Sequence, residues 1–143
     1  MKRILAATDG SDGANRAVEA AARLAAALGA ELWIVNAADG IPAEELNRIA
    51  RVEKSSVGDA LDALSDRILD KARERSQSLG APTIHLKSRS GDSAAAILET
   101  ARDINADAIF VGKRGRGRLA GVLLGSVSQK LASLAPCMVV IVP

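Results

Sequence analysis

Between residues 112 and 126 the chain reads GKRGRGRLAGVLLGS, the stretch whose residue types and spacing could do chemistry. It follows the apolar run Ala108-Ile109-Phe110-Val111, which reads as a buried strand, and precedes a helical pattern starting near Val127. Gly112, Gly115, Gly117, Gly121 and Gly125 let backbone N–H groups approach a ligand, and Ser126 is suited to cap a helix whose first turn presents free donors. Lys113, Arg114, Arg116 and Arg118 add positive charge, and no acidic residue interrupts them. A merely solvated turn would not need glycine, cap and charge at one strand-to-helix junction. The combination is that of an anion site, with phosphate the expected anion. Its candidate contacts are Gly112, Lys113, Arg114, Gly115 and Gly125, together with Ser126, Val127 and Ser128 at the helix start.

Two familiar phosphate fingerprints do not account for these residues. A P-loop requires Gly-Lys-Ser/Thr at its end, whereas Gly125 is followed directly by Ser126 and the next lysine is Lys130. Gly115-Arg-Gly117-Arg-Leu-Ala120 matches the loose dinucleotide pattern, but it lies in the last unit of the chain and no Asp or Glu follows it.

The same stretch resembles the universal stress proteins, whose ATP-binding members carry Gly, two residues, Gly, nine residues, Gly, Ser/Thr. Gly112, Gly115, Gly125 and Ser126 keep that spacing. The resemblance extends to a first strand ending at Asp9, to Gly10-Ser11 at the start of a first helix, and to Ala135-Pro136-Cys137 before a last strand. It implies a ligand, ATP or a related adenine nucleotide, where glycine and charge alone imply only a phosphate site. It also implies that Asp9 contacts the nucleotide, that Ala37 offers backbone groups to adenine, and that Ala7 and Thr8 neighbour the nucleoside. Asn36 stands where many members have histidine.

The elements that must position these residues follow from periodicity. Ile4 to Thr8 reads as a strand, with a turn at Asp9 to Gly13 and a helix from about Ala14 to Leu28 on an apolar stripe of Ala14, Val18, Ala21, Ala25 and Leu28. Leu32 to Ala37 is a second strand. Residues 38–57 are the least regular, with a short helix expected from Ala43 to Glu53 as a surface insertion. A long helix follows from Asp59 to Leu79, with Leu61, Leu64, Ile68 and Ala72 toward the core. Thr83 to Arg89 is a third strand, and Ser90 to Ser93 cap a helix through Ile104. Ala108 to Val111, a helix from about Val127 to Leu134, and Met138 to Val142 complete the chain.

Strands alternating with helices predict a single α/β domain with a doubly wound five-stranded parallel sheet and helices on both faces. In such sheets ligands bind beyond the carboxyl ends of the strands, where the winding reverses. The resemblance implies the order 3-2-1-4-5, which would set Asp9 and Gly112 across one crevice.

The 143 residues are enough for one core, made from Ala, Leu, Ile and Val because Trp33 and Phe110 are the only aromatic residues. Without aromatic platforms, single-stranded nucleic acid has nothing to stack on, and a net charge of +2 gives no broad footprint for a duplex. No apolar run approaches membrane-spanning length, and the opening residues do not form a signal peptide, so a cytoplasmic location is the default expectation. Cys137 stands alone at the start of an apolar strand and reads as a small buried residue. His85 has no carboxylate, cysteine or second histidine near it in sequence and reads as a strand residue, not a ligand or base.

Hydrolysis needs a positioned base and usually a metal held near the terminal phosphates. Asp9 and Asp12 could contact a Mg2+ ion, but no general base is evident, so slow ATP hydrolysis at most, or binding used as a signal, is expected. An interaction module that binds no nucleotide is the alternative. A receiver domain is disfavoured by Arg89-Ser90 and Val142-Pro143 at the ends of strands three and five, where an acid and a lysine would be needed. An adenylating ATP pyrophosphatase is matched only faintly by residues 8–13. The apolar last strand, Met138 to Val142, has little charge to protect an edge, and stress proteins often dimerise through it; a homodimer is expected.

Overall fold

Five short runs, four of them apolar, form parallel strands because helical segments between them carry the chain back to the starting edge of the sheet. In a computed structural model describing residues 1–37, 43–53, 56–114 and 123–143, the elements are β1 (Arg3–Ala7), α1 (Asp12–Leu28), β2 (Glu31–Ala37), α2 (Ala43–Glu53), α3 (Val57–Ser78), β3 (Thr83–Arg89), α4 (Ser93–Ile104), β4 (Ala108–Gly112), α5 (Ser126–Leu134) and β5 (Met138–Val142). All neighbouring strands are parallel, and their order is β3-β2-β1-β4-β5, as expected.

Alternation along each strand divides the apolar residues between two layers. On one face Ile4, Ala6, Leu32, Ile34 and Phe110 pack with Val18, Ala21 and Ala25 of α1 and Leu69 of α3. On the other, Leu5, Ala7, Val35, Ile109 and Val111 pack with Ile97 and Leu98 of α4 and Leu131 of α5. The inner strands are therefore buried on both sides, which is why β1 and β4 read as unbroken apolar runs. Small alanines along α1 let its backbone lie close to the sheet.

Two helices differ in detail from the periodicity. Helix α1 begins at Asp12, ahead of the expected Ala14, because Ser11 Oγ accepts the Ala14 N–H at 3.3 Å and organises the first turn. Leu28 is half-exposed at its end, and Ala17 and Ala22 join the buried face. In α3 the buried face is Ala60, Ser65, Leu69, Ala72 and Ser76, while Leu61, Leu64 and Ile68 are only partly covered. A stripe drawn through apolar residues misses this face because two of its positions are serines with satisfied hydroxyls. Ser76 Oγ donates to Ala72 O at 2.8 Å, and Ser65 and Ser88 share a hydrogen bond of 2.7 Å between α3 and β3.

His85 does have a carboxylate neighbour, supplied by strand pairing. Its Nε2 lies 3.0 Å from Glu31 Oε1, and its ring stacks on Trp33 with centroids 4.1 Å apart. Cys137 is half-buried, and burial pushes its thiol above the usual range, as suits a packed and unreactive side chain.

At the amino ends of the strands the exposed Asp107 carboxylate accepts the N–H groups of Arg3 and Lys2 at 2.9 and 2.7 Å, fastening the start of β1 beside β4. Those bonds, that from Arg3 foremost, hold its pKa below the ordinary value. A depressed carboxyl pKa contributes stability above the unfolded-state value of about 3.9, and that contribution disappears as pH falls through the folded value. Asp107→Ala should accordingly melt below the parent at neutral pH, with the gap closing in acid below about pH 4. Thermal melts across that range check this; a gap independent of pH would contradict it.

Candidate functional site

The carboxyl ends of β1, β2 and β4 meet where the winding changes direction. Beyond β1 the chain is held by Thr8 N–H to Val35 O at 2.9 Å, and by the Asn36 side-chain amide to Thr8 O at 2.8 Å. Thr8 Oγ1 then accepts the Gly10 N–H at 3.1 Å, and Asp9 Oδ1 accepts the Ser11 N–H at 2.9 Å. Gly10 turns the chain with φ 82°, a conformation that favours glycine, and delivers Ser11 to the cap of α1.

Beyond β4 the glycine-rich segment leaves and returns at one point. Lys113 N–H donates to Val142 O at 2.8 Å, continuing the β4–β5 ladder, and Lys113 O accepts the Gly125 N–H at 2.9 Å. The buried Ser128 hydroxyl lies 3.0 Å from both Lys113 O and Gly125 O, so its single proton serves the neck of the loop. Ser128, a candidate contact in the sequence, lines the cavity while its hydroxyl faces these carbonyls.

The expected cap of α5 is also displaced by one residue. Gly125 is the N-cap and Ser126 opens the helix, and no side chain caps that first turn, in contrast to Ser11 at α1 and Asp92 at α4. The first N–H groups of α5 have no intrahelical acceptor and remain available as donors. Gly125 has φ −72° and ψ 167°, extended backbone that any residue adopts. A need for glycine there is thus one of space, not of conformation.

A cavity of about 360 Å³ opens between these segments. Of the residues singled out in the sequence, Ala7, Thr8, Asp9, Ala37, Gly112, Arg114, Gly125, Ser126, Val127 and Ser128 line it. Lys113 is not in the lining, and Gly115, with Gly117 and Gly121, lies outside the described residues. Ser11 and Ala14 of α1, Val35 of β2, and Ser93 and Ile97 of α4 also line the cavity, without having been marked by the sequence as site residues. Periodicity could have placed α4 on this face; the helix start at Ser93 and Ile97 one turn on were the available signal.

Chemically, the cavity offers an apolar wall of Val35, Ile97 and Val111 beside the amino ends of α1, α4 and α5. Of these helix starts only that of α5 lacks a side-chain cap, and its free N–H groups beside the apolar wall suit an anion attached to an apolar group. Among the described residues, no group of three or more His, Cys, Asp or Glu side chains could hold a metal ion.

The family profile described as "Universal stress protein family" matches residues 1–143. The chain belongs to the universal stress protein family. A universal stress protein of Thermus aquaticus is 36% identical over 147 aligned positions, covering 99% of this chain and 98% of the relative. One from Bacillus subtilis is 33% identical, with 99% of each chain covered. Among solved structures, a universal stress protein in complex with cAMP is 32% identical, with a TM-score of 0.73 over 99% of this chain and 96% of the other. The universal stress protein of Lactobacillus plantarum, at 24% identity and a TM-score of 0.79 over 99% and 97% of the two chains, supports the fold.

If the Ser128 hydroxyl closes the neck of the loop, Ser128→Ala removes a donor from two carbonyls and should lower unfolding stability by about 1 kcal/mol. Urea unfolding measures this directly; an unchanged midpoint and slope would show that the neck does not depend on that hydroxyl.

Proposed function

We propose that this universal stress protein binds an adenine nucleotide, expected to be ATP, as a single nucleotide-binding domain. The observation that carries the reading is the cavity at the carboxyl ends of β1 and β4, open to the uncapped first turn of α5. Its volume of about 360 Å³ falls within the range of small-ligand sites, roughly 300–1,000 Å³. In this reading adenine lies toward Val35 and Ala37, with Ala37 offering backbone groups, and Asp9 accepts from a ribose hydroxyl. The phosphates lie against Gly112, Gly115 and Gly125 and the N–H groups of Ser126, Val127 and Ser128. Arg114 supplies charge within the cavity and Lys113 at its margin. Mg2+ would arrive on the phosphates and needs few protein ligands, with Asp9 and Asp12 the nearest acids in sequence.

Hydrolysis would require a base to orient water, and none of the residues assigned here has that role. The nucleotide is therefore read as a signal, turned over slowly at most, by a protein working in the cytoplasm in a stress response. The relative solved with cAMP supports an adenine ligand and favours testing the cyclic nucleotide beside ATP.

The cradle reading gives an ordering of effects. Gly125→Val fits the extended backbone and should fold, yet its side chain fills space against the phosphates and should abolish binding. Lys113→Ala and Arg114→Ala should each cost about 0.3–1 kcal/mol, less than tenfold in affinity, because mobile screened charges share the field. Calorimetric titration with ATP and with cAMP, with circular dichroism as the folding control, tests this. A folded Gly125→Val protein binding like the parent would refute the cradle, and a large loss from one basic residue alone would transfer recognition to that side chain.

The same proposal includes a homodimer through β5. That strand is the sheet edge, with Met138 exposed and Val139 to Val142 only partly covered. Sedimentation at micromolar concentration should show a dimer that Val140→Lys weakens. A parent that sediments only as monomer would contradict it.

A further inference from the structure

Resting on the reading of the cavity as a nucleotide site, we propose that Gly13 is a positioning residue for that site. By having no side chain, it lets the first turn of α1 seat against the exit of β4 and sets the place of the Arg114 backbone. Gly13 lies outside the glycine pattern of the loop and about a hundred residues before it. Its φ is negative and it lies inside α1, so nothing in its own conformation calls for glycine. Space does. A β-carbon on Gly13 would stand 3.1 Å from Arg114 O, tighter than ordinary van der Waals contact.

The opposing surface makes the same demand. A β-carbon on Gly112 would stand 2.9 Å from the carbonyl carbon of Gly13, 3.0 Å from its oxygen and 3.1 Å from Ala14 N. Every one of these is a main-chain atom, which cannot rotate away as a side chain can. Two buried glycines therefore face one another, and the main chains of α1 and β4 touch. The flanking residues line the two sides of the cavity: Ser11 and Ala14 on one side, Gly112 and Arg114 on the other. The width between them is set by this contact.

The consequence separates affinity from stability. Alanine is the better helix former, which offsets the cost of a single contact on the Arg114 carbonyl, so Gly13→Ala should melt near the parent temperature. Its methyl group should nevertheless push the Arg114 backbone by a few tenths of an ångström. With the wall of the cavity displaced, nucleotide affinity should fall about three- to tenfold. Gly58→Ala is the control, a glycine in the first turn of α3 whose added β-carbon would meet only Ser56 Oγ at 3.8 Å. It should gain the same helix propensity and leave affinity unchanged. Gly112→Ala, pressed against main chain, should lose both affinity and melting temperature.

Titrating ATP and cAMP into the four proteins, with thermal melts beside each titration, tests the proposal. Gly13→Ala binding like the parent would overturn it. If the parent binds neither nucleotide, the functional reading fails, and the contact is then judged on the ligand-free proteins by their amide resonances. Those of Lys113, Arg114 and Gly125 should move in Gly13→Ala and stay in place in Gly58→Ala; unmoved resonances in Gly13→Ala would overturn the positioning role.

Discussion

The pairing of β1 with β4 sets Ile4, Leu5 and Ala6 beside Ala108, Ile109 and Phe110 across a separation of about a hundred residues, and the carboxyl edge of the sheet is organised by it. From β1 the chain turns into α1 on one face; on the other face α4 leads into β4. A sheet wound in both directions must leave a gap between the departing connections, and that gap is the cavity. Neither side would hold its place without local bonds. The Asp9–Ser11 turn fixes the first side, and the closed neck formed by Lys113, Gly125 and Ser128 fixes the second.

Glycine has different physical roles at different positions in this small region. At Gly10 it supplies a positive φ. Gly112 is needed for the close approach of two main chains. At Gly125 the backbone is ordinary, so any need for glycine there, in the proposed reading, is one of room for the ligand at the entry to α5. These are distinct constraints, and a substitution at each should fail in its own way: through backbone strain, through packing, or through obstruction of a ligand.

Much of the fold could be read from the chain because its local signals agree with one another. Inner strands buried on both faces produce continuous apolar runs, and Gly29 and Asn105 end α1 and α4 in left-handed conformations as helix stops should. Thr83–Arg89 and Met138–Val142 have the bounds that their β-branched and apolar residues indicate. The buried face of α3 was harder to read, since Ser65 and Ser76 are polar by type and satisfied only by partners in the folded chain. In the site, the residues beside the glycine pattern were legible from type and spacing. Ser93 and Ile97 were only weakly so: periodicity marks the apolar face of α4, but their place in the cavity depends on how α4 crosses β2 and β1, a tertiary fact. The contact of Gly13 with the Arg114 backbone is of the same kind.

The central claim is that the edge formed by β1, β4 and the start of α5 receives an adenine nucleotide. Amide chemical-shift mapping during titration with ATP and with cAMP tests it most directly, since it reports where a ligand lands as well as whether it binds. The account predicts saturable shifts at Asp9, Ala37, Gly112, Ser126 and Val127, with the amides of β3 and α2 unchanged. No shift at millimolar nucleotide, or shifts confined to surfaces away from that edge, would contradict it.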